Sequence, residues 1–79
     1  MGVWLERKHE RMKKIVEVNY QIFCESRRLM EDAAKKSVDG KLPQNIINLE
    51  ATARWNYNES AERLREIESQ IRYLGEVNR

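Results

Sequence analysis

The stretch Ser37-Val38-Asp39-Gly40-Lys41-Leu42-Pro43 decides the fold, because it holds the chain's one close cluster of residues that break helices. Gly40 can adopt the left-handed conformation that ends a helix, and Pro43 suits the first turn of a new one. The stretch lies near the middle of the 79 residues. It predicts a single helical domain over 1–79, with a first helix at about 3–38, a turn at about 39–43 and a second helix at about 44–77.

Beyond the turn, apolar and small residues recur at the spacing of an amphipathic helix. They fall in two interleaved columns with seven-residue steps, which is the pattern of a helix–helix seam. The columns are Ile46, Ala53, Ser60, Ile67, Leu74 and Tyr57, Leu64, Ile71. Asn58 is a good residue to begin a helix and a poor one inside it. The alternative is therefore three helices, with a break near residues 56–58.

The first half carries three such columns, one more than a two-helix seam needs. We assign two of them to the seam, namely Leu5, Met12, Asn19, Ser26, Ala33 and Ile15, Ile22, Leu29. The third column contains His9, Val16, Phe23 and Met30.

Folding the chain back at Gly40 brings the two seams together in antiparallel orientation, so that residues whose numbers add to about 80 face each other. Asn19 then lies level with Ser60, and Ser26 lies level with Ala53 as a layer of small side chains. The expected fold is all-α, a two-helix antiparallel hairpin. Since a lone hairpin leaves the third column uncovered, we further expect it to dimerise into a four-helix bundle. The residues assigned to this oligomer interface are Val16, Phe23 and Met30.

Catalytic and metal chemistry have little basis in the sequence. His9 is the only histidine and Cys24 the only cysteine, whereas zinc needs three or four N, S or O ligands. Lys13 stands where a His-Glu-x-x-His motif would need its second histidine. The sequence also has neither a nucleophile–base arrangement nor a Gly-rich phosphate loop. We therefore expect a protein that is not an enzyme and needs no metal or cofactor.

Charge and hydropathy narrow the class of partner. The 15 basic and 13 acidic side chains leave a net charge of +2, a smaller excess than nucleic-acid-binding domains usually carry. No apolar run is long enough to span a bilayer or to act as a secretory leader. A single cysteine favours a reducing compartment. We expect a cytoplasmic protein without a membrane partner.

A column of cations on the first helix gives an alternative function. Cations spaced by seven residues can follow the phosphates of a nucleic acid. The other interpretation is a solvated helix face whose charges pair at i,i+4, and Glu10–Lys14 and Glu31–Lys35 fit that spacing. We expect the solvated face. The column consists of Arg7, Lys14, Arg28 and Lys35.

Aromatic residues off the seam suggest contact with a protein. Trp55 occupies the outermost heptad position, and exposed Trp and Tyr are enriched at protein interfaces. The function expected is that of a small adaptor, regulator or inhibitor that binds another protein through a helix face. A structural assembly subunit is a third possibility. The candidate partner-binding residues are Trp55, Trp4, Tyr20 and Tyr73.

Overall fold

The computed structural model describes residues 2–77, which form two α-helices packed antiparallel against each other. Helix α1 spans Gly2–Lys36 and helix α2 spans Gln44–Val77, so α1 ends two residues earlier than predicted. The hairpin is a thin rod of 63 × 15 × 15 Å. The predicted all-α two-helix hairpin is confirmed, and α2 runs unbroken through residues 56–58. Within residues 2–77, neither helix is both long and apolar enough to pass through a lipid bilayer.

The turn is held by side chains bonded to its own backbone. The Asp39 carboxylate accepts a hydrogen bond from the Lys41 backbone N–H at 3.1 Å, and the Ser37 hydroxyl lies 3.0 Å from the same oxygen. Both donors favour the charged form, the Lys41 N–H most strongly, and they lower the pKa of Asp39. Gly40 has a φ of +76°, as its position in a turn suggested, but it lies beyond the end of α1 and bends the turn rather than capping the helix.

Pro43 begins the second helix from just outside it. Its carbonyl accepts hydrogen bonds from the backbone N–H groups of Ile46 and Ile47, at 3.1 and 3.2 Å. These are among the N–H groups that a helix start leaves without partners of its own. Pro43 therefore positions the first turn of α2 without lying inside it.

The seam of α2 is the predicted one, but α1 uses a different pair of columns. The column assigned to an interface between copies packs half-buried against α2 instead, and it consists of Val16, Phe23 and Met30. The column expected in the seam is exposed, and it consists of Ile15, Ile22 and Leu29. The premise of the oligomer-interface assignment, that Val16, Phe23 and Met30 lie outside the hairpin seam, is therefore wrong.

The ends of the two columns give a physical reason for this choice. Both columns form a regular heptad with the Leu5 column, so apolar spacing alone does not choose between them. The exposed column begins at Lys8 and ends at Lys36, whose ammonium groups stay in water. The packed column begins at His9, whose Nε2 lies 3.2 Å from Oε2 of Glu68 on α2. In the observed rotation of α1, His9 faces α2 and bonds to Glu68. The other rotation would turn Lys8 toward α2 and bury its charge.

The predicted levels of the two helices are confirmed by contacts in the middle of the hairpin. The Asn19 amide donates to the Ser60 hydroxyl at 3.1 Å and to the Asn56 carbonyl at 3.3 Å. The rings of Phe23 and Tyr57 stack with centroids 5.9 Å apart. These pairs fix the register, because a shift of one turn would remove the Ser60 hydroxyl from the Asn19 amide and the Tyr57 ring from Phe23.

Small side chains occupy buried positions in the middle of the seam. Ser26, Ala53 and Ser60 are 2%, 4% and 6% exposed. The two hydroxyls donate to carbonyls of their own helices, Ser26 to Phe23 at 2.7 Å and Ser60 to Tyr57 at 2.9 Å. Across residues 2–77, every buried side-chain nitrogen and oxygen has a partner. The helices can approach closely here without burying an unsatisfied polar group.

Substitutions at neighbouring positions separate the two possible seams of α1. Phe23→Ala should lower the free energy of unfolding by about 2 kcal/mol, less than the 3–5 kcal/mol typical of a fully buried Phe, because Phe23 is half-buried. Ile22→Ala should cost less than about 1 kcal/mol, since it is half-exposed. Urea denaturation of dilute protein, followed by circular dichroism, measures both. A larger loss for Ile22→Ala would contradict the observed rotation of α1.

Gly40 and Gly75 together offer a test of the turn. A Cβ at Gly40 would meet no atom within 4 Å, so Gly40→Ala should destabilise the hairpin by its positive φ alone, by about 1 kcal/mol. Gly75 is equally free of neighbours but lies in α2. Gly75→Ala should therefore raise the melting temperature or leave it unchanged. Equal behaviour of the two variants in thermal denaturation would contradict the strained turn.

Candidate functional site

One side of the hairpin exposes a row of large apolar side chains. They lie at heptad positions that flank the seam, and each is between 45% and 52% exposed. Ile15 lines a shallow concavity together with Asn56 and Arg63 of α2, which shows that the flanks of both helices share this side. We call these residues the open face, and they are Ile15, Val18, Ile22 and Leu29 of α1 with Leu49 of α2.

The open face continues into a groove where the two free ends of the hairpin meet. Trp4 and Leu5 of α1 and Tyr73 and Leu74 of α2 line this groove, which has a volume of about 820 Å³. Gln70, which also lines it, lies one heptad beyond Arg63 on the same flank of α2. We call it the end groove. The end groove and the open face therefore lie on the same side of the hairpin, with the polar side chains of Arg11 and Arg63 between them.

The opposite flank of the hairpin carries a cluster of aromatic rings. The Tyr20 and Tyr57 rings lie 5.2 Å apart at an angle of 54°, and Tyr57 stacks on Phe23. The Arg27 guanidinium lies 5.7 Å from the centre of the Phe23 ring. A hydrogen bond between the Tyr20 hydroxyl and the neighbouring thiol of Cys24 raises the pKa of Tyr20. Tyr20 is itself half-exposed and borders a shallow concavity with Val16 and Tyr57, so this flank is aromatic and only partly covered, whereas the open face is aliphatic.

The four aromatic residues predicted to bind a partner do not form one surface. Trp4 and Tyr73 meet in the end groove, whereas Tyr20 belongs to the aromatic cluster on the other flank. Trp55 is 63% exposed at the outer edge of α2 and borders the concavity that contains Ile15. Their binding roles stay predictions. The aliphatic open face was missed as a site because its α1 residues were assigned to the seam.

The predicted basic column lies along the exposed outer edge of α1, far from the seam. One of its members, Arg28, pairs with Glu25 at 3.3 Å. Glu10 pairs with Lys13 at 3.6 Å rather than with Lys14. These two pairs on α1 are exposed, and exposed ion pairs contribute little to stability. On α2, Arg54 lies 3.7 Å from the buried Glu50. The arrangement fits a solvated helix face and leaves much of the column free to meet an anion.

The described part of the chain contains no cluster of side chains that could bind a metal ion. No group of three or more His, Cys, Asp or Glu side chains comes together within residues 2–77. His9 instead bonds to Glu68 across the seam, and Cys24 is an exposed free thiol. His9 thus serves a contact between the helices.

The comparisons with known proteins give no relative from which a function can be inherited. No protein family, no curated protein and no solved structure matches this chain.

Proposed function

We propose that this chain is a non-enzymatic helical hairpin that acts by binding protein through its open face, as an adaptor, regulator or inhibitor. The observation that carries the proposal is the row of half-exposed aliphatic side chains on one flank. A contiguous apolar surface of this kind favours association, because burying it releases water. The polar residues around it, such as Arg63 and Glu59, supply the rim that interfaces usually have.

The shape of the hairpin supports binding over catalysis. A rod 15 Å thick offers open grooves rather than a cavity that surrounds a small substrate. The end groove is open to solvent, and Trp4, Tyr73 and Leu74 provide most of its contact area, with Glu66 and Ser69 also in its lining. The single cysteine and the mixed surface charge of the protein support a cytoplasmic location.

The basic column supports a second candidate function, nucleic-acid binding. Arg7, Lys14 and Lys35 are exposed, and in the described part of the chain none of them lies within ion-pair distance of a carboxylate. Their spacing along one edge of α1 suits a row of phosphates. The net charge of +2 makes this the weaker candidate.

Two neighbouring positions test the open face. Ile22→Arg places a charge at its centre and should weaken protein binding by at least about 2 kcal/mol, or roughly thirtyfold. Gln21→Arg adds the same charge one residue away, on the outer edge of α1, and should leave binding unchanged. The measurement is capture and cross-linking of protein by the immobilised hairpin in an extract of its native cells, with helicity checked by circular dichroism. Equal capture by Ile22→Arg and wild type, with both folded, would show that the open face binds no protein.

The basic column has its own test. We expect the wild type to show no binding to duplex DNA or RNA at physiological salt by fluorescence anisotropy. If it binds, replacing all four cations with Gln should flatten the salt dependence by about 0.9 per lost DNA phosphate contact. Arg65→Gln and Arg72→Gln on α2 remove cations outside the column and serve as the control. Binding that depends on the column would favour the second candidate.

A further inference from the structure

We propose that the occupant of the open face is a second copy of this chain, placed by a two-fold axis that crosses the helices at right angles near Val18. Each α1 then lies antiparallel to the partner's α1, and each α2 to the partner's α2. The inference rests on the proposed function, since it names the protein that the open face binds.

The hairpin alone buries too little apolar surface to explain its sequence. Its buried apolar side chains in the described range are Leu5, Ala53 and Ile67, while the larger aliphatic residues lie half-exposed on the flank. A helix pair has a single layer of contact, and stable small domains cover their apolar faces with a second layer. A second hairpin laid on the open face would supply that layer.

The flank of α1 is self-complementary when it is reversed about Val18. Arg11 and Glu25 each lie seven residues from Val18, so an antiparallel copy brings each Arg11 opposite the partner's Glu25. Ile15 and Ile22 lie three and four residues away and meet each other in the same way. A two-fold interface needs this property, because the same surface must serve as both partners.

Charge along this flank is divided in the same sense. Lys8 and Arg11 occupy its first half, and Glu25 and Asp32 lie in its second half, where Lys36 is a cation at the last position of the flank. A parallel arrangement of the two α1 helices would place like charges side by side. Glu25 already has Arg28 at 3.3 Å, but both side chains are more than half exposed and such a pair leaves the carboxylate available.

The flank of α2 gives the same axis independently. The Asn19–Ser60 bond sets the level of the two helices, so the axis near Val18 crosses α2 near Ala61. Glu59 and Arg63 each lie two residues from that point and become partners across the axis. Charges on both helices are thus complementary about one level of the hairpin.

The two ends of the open face also match when they are exchanged. Leu49 and Tyr73 each lie twelve residues from Ala61, so the axis brings each Leu49 to the partner's Tyr73, in the end groove. Leu29, level with Leu49 on α1, approaches the same groove. Apolar residues near the turn of one copy therefore fill the apolar groove at the free ends of the other.

A charge exchange tests this arrangement. Sedimentation velocity of the purified full-length wild type at micromolar concentration should show a dimer. Arg11→Glu or Glu25→Arg alone should each raise the dissociation constant by about tenfold, because symmetry places two like-charge contacts in every dimer. The double variant Arg11→Glu/Glu25→Arg should return it to within about threefold of the wild-type value, because the attraction is restored with the signs exchanged. Lys14→Glu makes the same change of charge on the outer edge of α1 and should leave it unaltered.

A cross-link tests the position of the axis. In a Cys24→Ser background, Val18→Cys should form a disulfide-linked dimer on mild oxidation, because the two copies of this residue meet at the axis. Gln21→Cys in the same background, on the outer edge, should stay monomeric.

A monomeric wild type, a double variant without rescue, or equal cross-linking at the two positions would each overturn the inference. If the purified chain is a monomer while Ile22→Arg still loses capture of a different protein, the proposed function stands and its partner is that protein. If neither assembly nor capture depends on the open face, both fail.

Discussion

The close approach of the two helices at Ser26, Ala53 and Ser60 is the constraint on which the rest of this hairpin depends. These positions admit only small side chains, because the opposite helix fills the space. Both serine hydroxyls bond to carbonyls of their own helix, so they enter the seam without an unsatisfied donor. The interaxial distance of packed helices follows the side chains at the contact, and small ones bring the helices together.

Because the seam has small side chains at its middle, many of the large apolar side chains lie on its two flanks. On one flank the rings of Tyr20, Phe23 and Tyr57 pack against one another and cover part of the seam. On the other flank, Ile15 and Ile22 have no such cover from their own chain. One flank of the hairpin is therefore partly covered by aromatic rings, whereas the other exposes aliphatic side chains and is suited to association. The proposed function is thus a consequence of how the seam is packed.

Much of this architecture could be read from the sequence. The turn follows from Gly40 and Pro43, and the seam of α2 from a repeat that offers a single apolar stripe. The level of the two helices follows from the polar match of Asn19 and Ser60. For each of these features the sequence allows one arrangement, so the spacing of residues along the chain is enough to predict it.

The rotation of α1 could not be obtained in this way. Its sequence offers two columns with three large apolar residues each, and either makes a regular seam with Leu5 and Met12. The choice depends on contacts across the hairpin, above all those of His9 with Glu68 and of Phe23 with Tyr57. The open face was missed for the same reason. It consists of apolar residues that lie outside the seam, so it cannot be located until the residues of the seam are known.

The antiparallel register of the two helices also sets the order in which the contacts of the hairpin form and open. Contacts beside the turn join residues close in sequence, whereas the His9–Glu68 contact near the free ends spans 59 residues. The entropy of loop closure is lower for the short connections, so pairing propagates from the Gly40 turn outward like a zipper. Local opening runs the other way and begins at the free ends. The end groove is therefore the most dynamic part of the rod, and any molecule that fills it also clamps the last contacts to form.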